Sequence, residues 1–187
     1  MDSDLAQVVE ELGQPPLWSR EPGFATLIHI ILEQQVSLAS AQSAFDKLTA
    51  AADNEITPNQ FLSFSDSELK EFGFSRQKAR YGRLLSESLA NGTLSLDELH
   101  QMDDADARDA LIDVKGIGPW TANIYLLMAL RRQDVWPSGD LAVKKAMEDI
   151  KGLNDTPSTE RADEMALQWK PWRAVATRIL WHHYLNG

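Results

Sequence analysis

The sequence predicts an all-α fold on three observations. Apolar residues return at three- and four-residue spacing through most of the chain, the signature of amphipathic helices. Capping residues recur at the starts of these runs, and glycine, asparagine or proline stands at several of their ends. No stretch sustains the alternation of apolar and polar residues, rich in β-branched side chains, that marks a strand.

Leu5, Val8, Val9 and Leu12 share one face of a helix over 2–12, which Gln14-Pro15-Pro16 ends. Pro22 sits where a first-turn proline would, and Phe24, Leu27, Ile28, Ile31 and Leu32 form a broad apolar stripe behind it. Ser37 caps a helix running to about Ala52, in which Ala41, Ala44, Phe45 and Leu48 face one way. Thr57-Pro58 is a cap followed by a first-turn proline, and Ser65-Asp66-Ser67-Glu68 and Ser95-Leu96-Asp97-Glu98 both read as capping boxes. Between the two boxes a helix over 75–90 closes on Asn91-Gly92 as a left-handed terminator. Further helices are predicted over 104–112, 120–132, 141–150, 158–168 and 171–184, with a loop at 154–158. No repeat, low-complexity tract or clear linker interrupts the pattern, so residues 1–187 read as a single domain, large enough for one core or two small lobes.

Hydrophobic content of 43% and charged content of 25% are those of an ordinary soluble globular chain. No apolar run reaches the roughly 18 residues that span a bilayer. The longest, over 24–32, is interrupted by His29 and lies too far in for a signal peptide. There is no cysteine, which excludes disulfides, iron–sulfur clusters and thiolate zinc sites. A cytoplasmic protein with no membrane partner is the expectation. The net charge of −10 argues against a surface that grips nucleic acid over most of its area. A local patch stays open, because repulsion from the rest is screened beyond about 8–10 Å at physiological salt.

The most informative segment is Val114-Lys115-Gly116-Ile117-Gly118-Pro119-Trp120-Thr121-Ala122, between two predicted helices. Gly116 and Gly118 permit positive φ and a tight reversal, and they remove side chains that would keep a ligand from the backbone. Pro119 suits the first turn of the next helix. The free N–H groups and positive end of that helix then make an anion site, with Lys115 adding charge beside a phosphate. Such a turn is a clamp for a DNA backbone; the plain alternative is a glycine-rich turn between packed helices. One helix and a return loop fit between Gly118 and Asp140, which would bring Asp140 back toward the side where the hairpin meets DNA. Asp140 also stands at the N-cap of the helix over 141–150, and the two roles are compatible because capping fixes the direction of the carboxylate.

Gly116-Ile117-Gly118-Pro119-Trp120-Thr121-Ala122 followed by Asp140 resembles the helix-hairpin-helix and Gly/Pro-Asp superfamily of base-excision DNA glycosylases, above all its 3-methyladenine DNA glycosylase II branch. Three other stretches agree. Glu33-Gln34-Gln35-Val36-Ser37 closes an apolar helix, Gly73-Phe74-Ser75-Arg76-Gln77-Lys78-Ala79 opens another, and Trp169-Lys170-Pro171-Trp172-Arg173 with Trp181 resembles the family's C-terminal helix. The resemblance covers most of the chain from about residue 15. It implies a two-lobed helical fold with the active site in the cleft between lobes and the hairpin at 114–122. The N-terminal β-rich domain of some relatives has no room here. It further implies a monomer that acts on duplex DNA containing damaged bases, in base excision repair, at the nucleoid of a bacterial-type cytoplasm. The family's Pro-x-x-Asp loop departs here by placing Gly139 just before Asp140, and the net acidity is unusual for a DNA repair enzyme.

Asp140 is then the catalytic carboxylate for hydrolysis at alkylated purines such as 3-methyladenine and 7-methylguanine. It would stabilise the positive charge that builds on the sugar, activate water, or both. Bifunctional relatives carry a nucleophilic lysine just after the hairpin glycines, where this chain has Trp120; an indole forms no Schiff base, so a monofunctional enzyme without lyase activity is expected. Electron-rich rings suit a cationic base, which makes Trp120, Trp136 and Trp181 the pocket candidates, with Trp172 and Tyr184 behind them. For any one of these, core and pocket are equal readings. Gln34 and Gln35 are candidates for the wedge that fills the gap left by a flipped base, and Lys144 with Lys145 for phosphate contacts. His29 reads as a hydrogen-bonded core histidine, and no cofactor or metal is expected. Three alternatives stay open: a non-catalytic helix-hairpin-helix DNA-binding module, a glycosylase for another lesion, and an all-α protein unrelated to DNA.

Overall fold

The computed structural model describes residues 2–187, and among them there are helices and loops but no strand. The elements are α1 (Ser3–Leu12), α2 (Phe24–Glu33), α3 (Leu38–Ala51), α4 (Pro58–Ser63), α5 (Asp66–Phe72), α6 (Arg76–Ala90), α7 (Asp104–Ile112), α8 (Pro119–Met128), α9 (Leu141–Ile150), α10 (Thr159–Ala166) and α11 (Arg173–Asn186). Short 3-10 turns lie at Glu98–His100 and Leu167–Trp169. The chain forms two compact units, one of Arg20–Tyr125 and one of the residues up to Ser19 with Leu126–Gly187. The division falls inside α8. No helix among the described residues is long and apolar enough to cross a membrane.

Ser37, Thr57, Ser65 and Asp140 cap as the sequence predicts, and Asp2 and Ser75, expected as the first helical residues, are caps as well. Asp2, Ser37, Thr57, Ser65, Ser75 and Asp140 each accept a backbone N–H from the first turn of the helix they precede, and Thr57 and Ser65 form full capping boxes with Gln60 and Glu68. Four expectations need correction. α1 stops at Gly13, where φ is 81, before the proline pair is reached. Pro22 lies one residue outside the Gly23 cap of α2, not in its first turn. Glu98 N–H does reach Ser95 Oγ at 3.4 Å, but a 3-10 turn follows in place of an α-helix. α8 ends at Met128, short of Arg132: Arg131 takes a left-handed φ of 54 and Arg132 N–H closes on the Leu126 carbonyl at 3.0 Å.

In the unit of Arg20–Tyr125, α2 is the buried centre, with Leu27, Ile28, Ile30 and Ile31 fully enclosed. Each such side chain is worth about 1.5–3 kcal/mol relative to exposure. α6 crosses close by at Gly82, where a Cβ would stand 2.3 Å from the Phe61 ring of α4. His29 stacks on Phe45 at 4.3 Å and lies 3.7 Å from Glu33, which Arg20 holds through two hydrogen bonds. Burial pushes the half-buried imidazole below its usual range.

In the other unit, α1 packs on α11 and α11 on α9. Lys151 at the end of α9 binds both Asp2 oxygens at 2.8 Å and Asp4 at 2.7 Å, and Trp169 Nε1 donates to Asp2 at 2.7 Å. Burial raises the Asp2 carboxyl, but the Lys151 and Trp169 hydrogen bonds outweigh it and hold the group below its ordinary 3.8. A carboxyl lowered in the folded state stabilises above its unfolded pKa and loses that contribution as pH falls through the folded value. Asp2→Asn is therefore expected to lower the urea midpoint near neutral pH and to converge with the parent protein in acid, once the pH has fallen through the lowered folded-state value. Equal destabilisation at both pH values in urea titrations would count against this ion pair.

Candidate active site and nucleic-acid interface

Asp140 is nine-tenths buried and caps α9. Its Oδ1 accepts from Val143 N–H at 2.9 Å and from the indole N–H of Trp181, on α11, at 3.2 Å. Two donors on one oxygen fix the plane of the carboxylate. The loop before it explains the glycine: Asp140 N–H closes on the Pro137 carbonyl at 3.0 Å, and Gly139, third in the turn, has φ 81. That is the conformation a type II turn demands of its third residue. The loop is fastened from outside by Asp163, which accepts from Trp136 Nε1 at 2.9 Å and from Ser138 Oγ at 2.7 Å.

The structure sorts the tryptophans. Trp181 is brought to Asp140. Trp136 is buried with its ring tilted on Trp169 at 5.7 Å and its N–H on Asp163, so it supports the loop from the core. Trp120 is half-buried in the first turn of α8, in the other unit. Trp172 and Tyr184 are exposed. Lys144, one turn into α9, reaches Thr159 Oγ1 at 3.5 Å, and Lys145 is exposed.

Sequence reasoning missed Trp18. Its ring meets Trp181 edge-on, with centroids 6.2 Å apart, and its backbone takes φ 44, a strained value for a bulky residue. Arg178 holds it there. This guanidinium is nine-tenths buried and donates to three carbonyls, Leu17 at 3.0 Å, Leu127 at 2.8 Å and Ala174 at 3.4 Å. Burial lowers its pKa from the usual arginine value. Arg173, at the start of the same helix, clasps Asp134 through Nε at 2.8 Å and Nη2 at 3.0 Å. Burial works against the Asp134 charge, yet the Arg173 hydrogen bonds win and lower its pKa. The only local sign of Trp18 was an aromatic ring outside any periodic run.

The hairpin lies in the Arg20–Tyr125 unit. Ile117 N–H closes on Val114 O at 3.0 Å, and α8 begins at Pro119 as predicted. The two glycines differ in their reasons. Gly116 has φ 106, and a Cβ there would stand 2.2 Å from the Tyr81 ring. Gly118 has no positive φ, and a Cβ on it would meet nothing within 4 Å. The protein's own packing therefore leaves room for a side chain at Gly118. Gln34 serves the hairpin from inside: its Nε2 donates to Gly116 O at 3.1 Å and to Thr121 Oγ1 at 2.9 Å. Gln35 is exposed with a left-handed φ of 57, next to exposed Val36 and Leu38. Lys78 donates to Leu32 O at 2.7 Å and so ties down the end of α2 that carries both glutamines; burial lowers its pKa. Lys115 is exposed.

The chain is similar to an alkylbase DNA glycosidase-like protein of Schizosaccharomyces pombe, 28% identical over 97% of this chain and 88% of the relative. It is also similar to the crystal structure of a DNA-3-methyladenine glycosidase from Bacillus halodurans, 28% identical with a TM-score of 0.82 over 99% of this chain and 86% of the other. A Schizosaccharomyces pombe 3-methyladenine DNA glycosylase in complex with abasic DNA has the same fold, at a TM-score of 0.91 and 23% identity over 97% of this chain and 91% of the other. The chain spans 65% and 56% of the length of two Bacillus subtilis relatives that it matches. A family model for HhH-GPD superfamily base excision DNA repair proteins matches residues 28–173, and the chain belongs to that family.

Proposed function

We propose that this protein is a monofunctional DNA glycosylase that hydrolyses the N-glycosidic bond of alkylated purines in duplex DNA. The observation that carries the reading is the Asp140 carboxylate, buried at the N-terminus of α9 and held on one oxygen by Val143 and Trp181. Positive charge grows on the deoxyribose as the C1′–N bond breaks, and a fixed carboxylate beside the sugar stabilises it. The electron pair of that bond leaves with the purine. Alkylation has already made the base cationic, so it departs as a neutral purine without a strong general acid, and the oxygen of a water adds to C1′ and releases one proton, to Asp140 or to solvent. Trp181, with Trp18 against it, supplies the aromatic surface that favours a cationic base.

In the same reading the α8 N-terminus and the bare Gly118 backbone receive a DNA phosphate, with Lys115 beside them. Gln34 shapes that loop, and Gln35 fills the space left by the flipped base. The similarity to DNA-3-methyladenine glycosylases and glycosidases supports the substrate class. Trp120, which cannot act as a Schiff-base nucleophile, supports hydrolysis without strand cleavage.

Duplex oligonucleotides carrying N-methylpurines, 8-oxoguanine or a uracil mismatch test the substrate class. Abasic sites are expected from the N-methylpurine duplex alone, with strand breaks only after alkali. Release of an oxidised or mismatched base in preference, or nicking without alkali, would overturn the reading.

A further inference from the structure

The chain carries 28 acidic against 18 basic residues, yet four cations converge where α5 meets α6. There Lys70, Arg76, Arg80 and Arg83 line a cavity of about 700 Å³, with Asp66 as its one carboxylate. Arg83 neutralises Asp66 at 2.8 Å and also donates to Phe64 O at 2.8 Å and Leu62 O at 3.4 Å, so it builds the wall. Lys70, Arg76 and Arg80 are exposed and make no ion pair among the described residues. Their placement is unfavourable for the free protein in two ways. Arg76 and Arg80 are like charges one turn apart on α6, and Arg76 is the first residue of a helix whose opening turn holds no acid. A bound anion relieves both.

We infer that this cavity is a second binding site for the phosphates of a DNA strand, separate from the hairpin, with Lys70, Arg76 and Arg80 as its contacts. The inference rests on the DNA-directed reading above. A protein of net charge −10 repels a polyanion over most of its surface, so its hold on DNA must come from local groups of unneutralised cations. The buried ring of Phe74 gives the cavity an apolar lining for the sugar edge between phosphates.

The test is binding of undamaged duplex DNA, read by fluorescence anisotropy across a salt series, by the full chain and by a Lys70→Gln/Arg76→Gln/Arg80→Gln variant. A Lys47→Gln/Arg161→Gln/Lys170→Gln variant makes the same change of charge at exposed sites elsewhere. The slope of log affinity against log salt is expected to become shallower by about 2–3 in the cavity variant, and to stay near the parent value in the control. Circular dichroism confirms that both variants fold. Equal slopes in parent and cavity variant would overturn the inference, and so would equal losses in both variants. Calorimetry with inorganic pyrophosphate separates the sources. Pyrophosphate binding that the cavity variant alone loses, with DNA binding unchanged, would make the ligand a free polyphosphate and overturn the DNA assignment. The assay uses no damaged base, so its outcome is independent of whether the protein excises one.

Discussion

Asp140→Asn is expected to slow base release on the order of 10³-fold while leaving DNA affinity and thermal stability close to those of the parent protein. Asparagine is an equally good N-cap, and its carbonyl can still accept from Val143 N–H and Trp181 Nε1, so helix α9 keeps its start. What disappears is the negative charge opposite the forming oxocarbenium ion. A loss of that size corresponds to about 4 kcal/mol of transition-state stabilisation. Single-turnover kinetics at saturating protein isolate the chemical step. A variant that retains the parent rate would remove Asp140 from the chemistry.

The second large effect separates the hairpin glycines. Gly116→Ala combines a left-handed φ of 106 with a Cβ placed 2.2–2.6 Å from three Tyr81 carbons, one of them its Cβ, which the ring cannot swing away from. Strain and overpacking together are expected to cost about 3 kcal/mol or more. For a chain of this size the melting temperature should then fall on the order of 10 °C. Gly118→Ala meets open space at an ordinary φ and should melt like the parent. Its methyl group instead stands where the backbone is proposed to meet a phosphate, so DNA binding weakens. Melting curves and anisotropy on the two variants check the contrast. A stable Gly116→Ala protein, or a Gly118→Ala protein with undiminished DNA binding, would contradict it.

The helices were legible wherever their cause is local. Caps such as Ser37, Thr57 and Ser65 act within three residues, and the apolar stripe of α2 repeats within a turn. The end of α8 was not, because apolar residues continue past Met128 and the left-handed Arg131 carries no glycine or asparagine to announce it. The site divides in the same way. Asp140 and Pro119 stand in short motifs, and each acts locally, Asp140 as the cap of α9 and Pro119 as the first residue of α8. The hydrogen bonds that hold Gln34 to the hairpin are accepted by Gly116 and Thr121, far along the chain. Trp136 stands near Asp140 in the sequence, but its partners Asp163 and Trp169 lie on later elements. Trp18 is fixed by Arg178, near the opposite end of the sequence, and no local pattern encodes such a pairing.

Chromatography of the free bases released from methylated duplex DNA, with Asp140→Asn at equal concentration beside the parent protein, decides whether Asp140 drives excision of alkylated purines. 3-Methyladenine and 7-methylguanine are expected from the parent, little or none from the variant, with strands intact until alkali is added. No free base from the parent protein while it still binds the DNA would rule out a glycosylase for these bases and leave a DNA-binding module in its place.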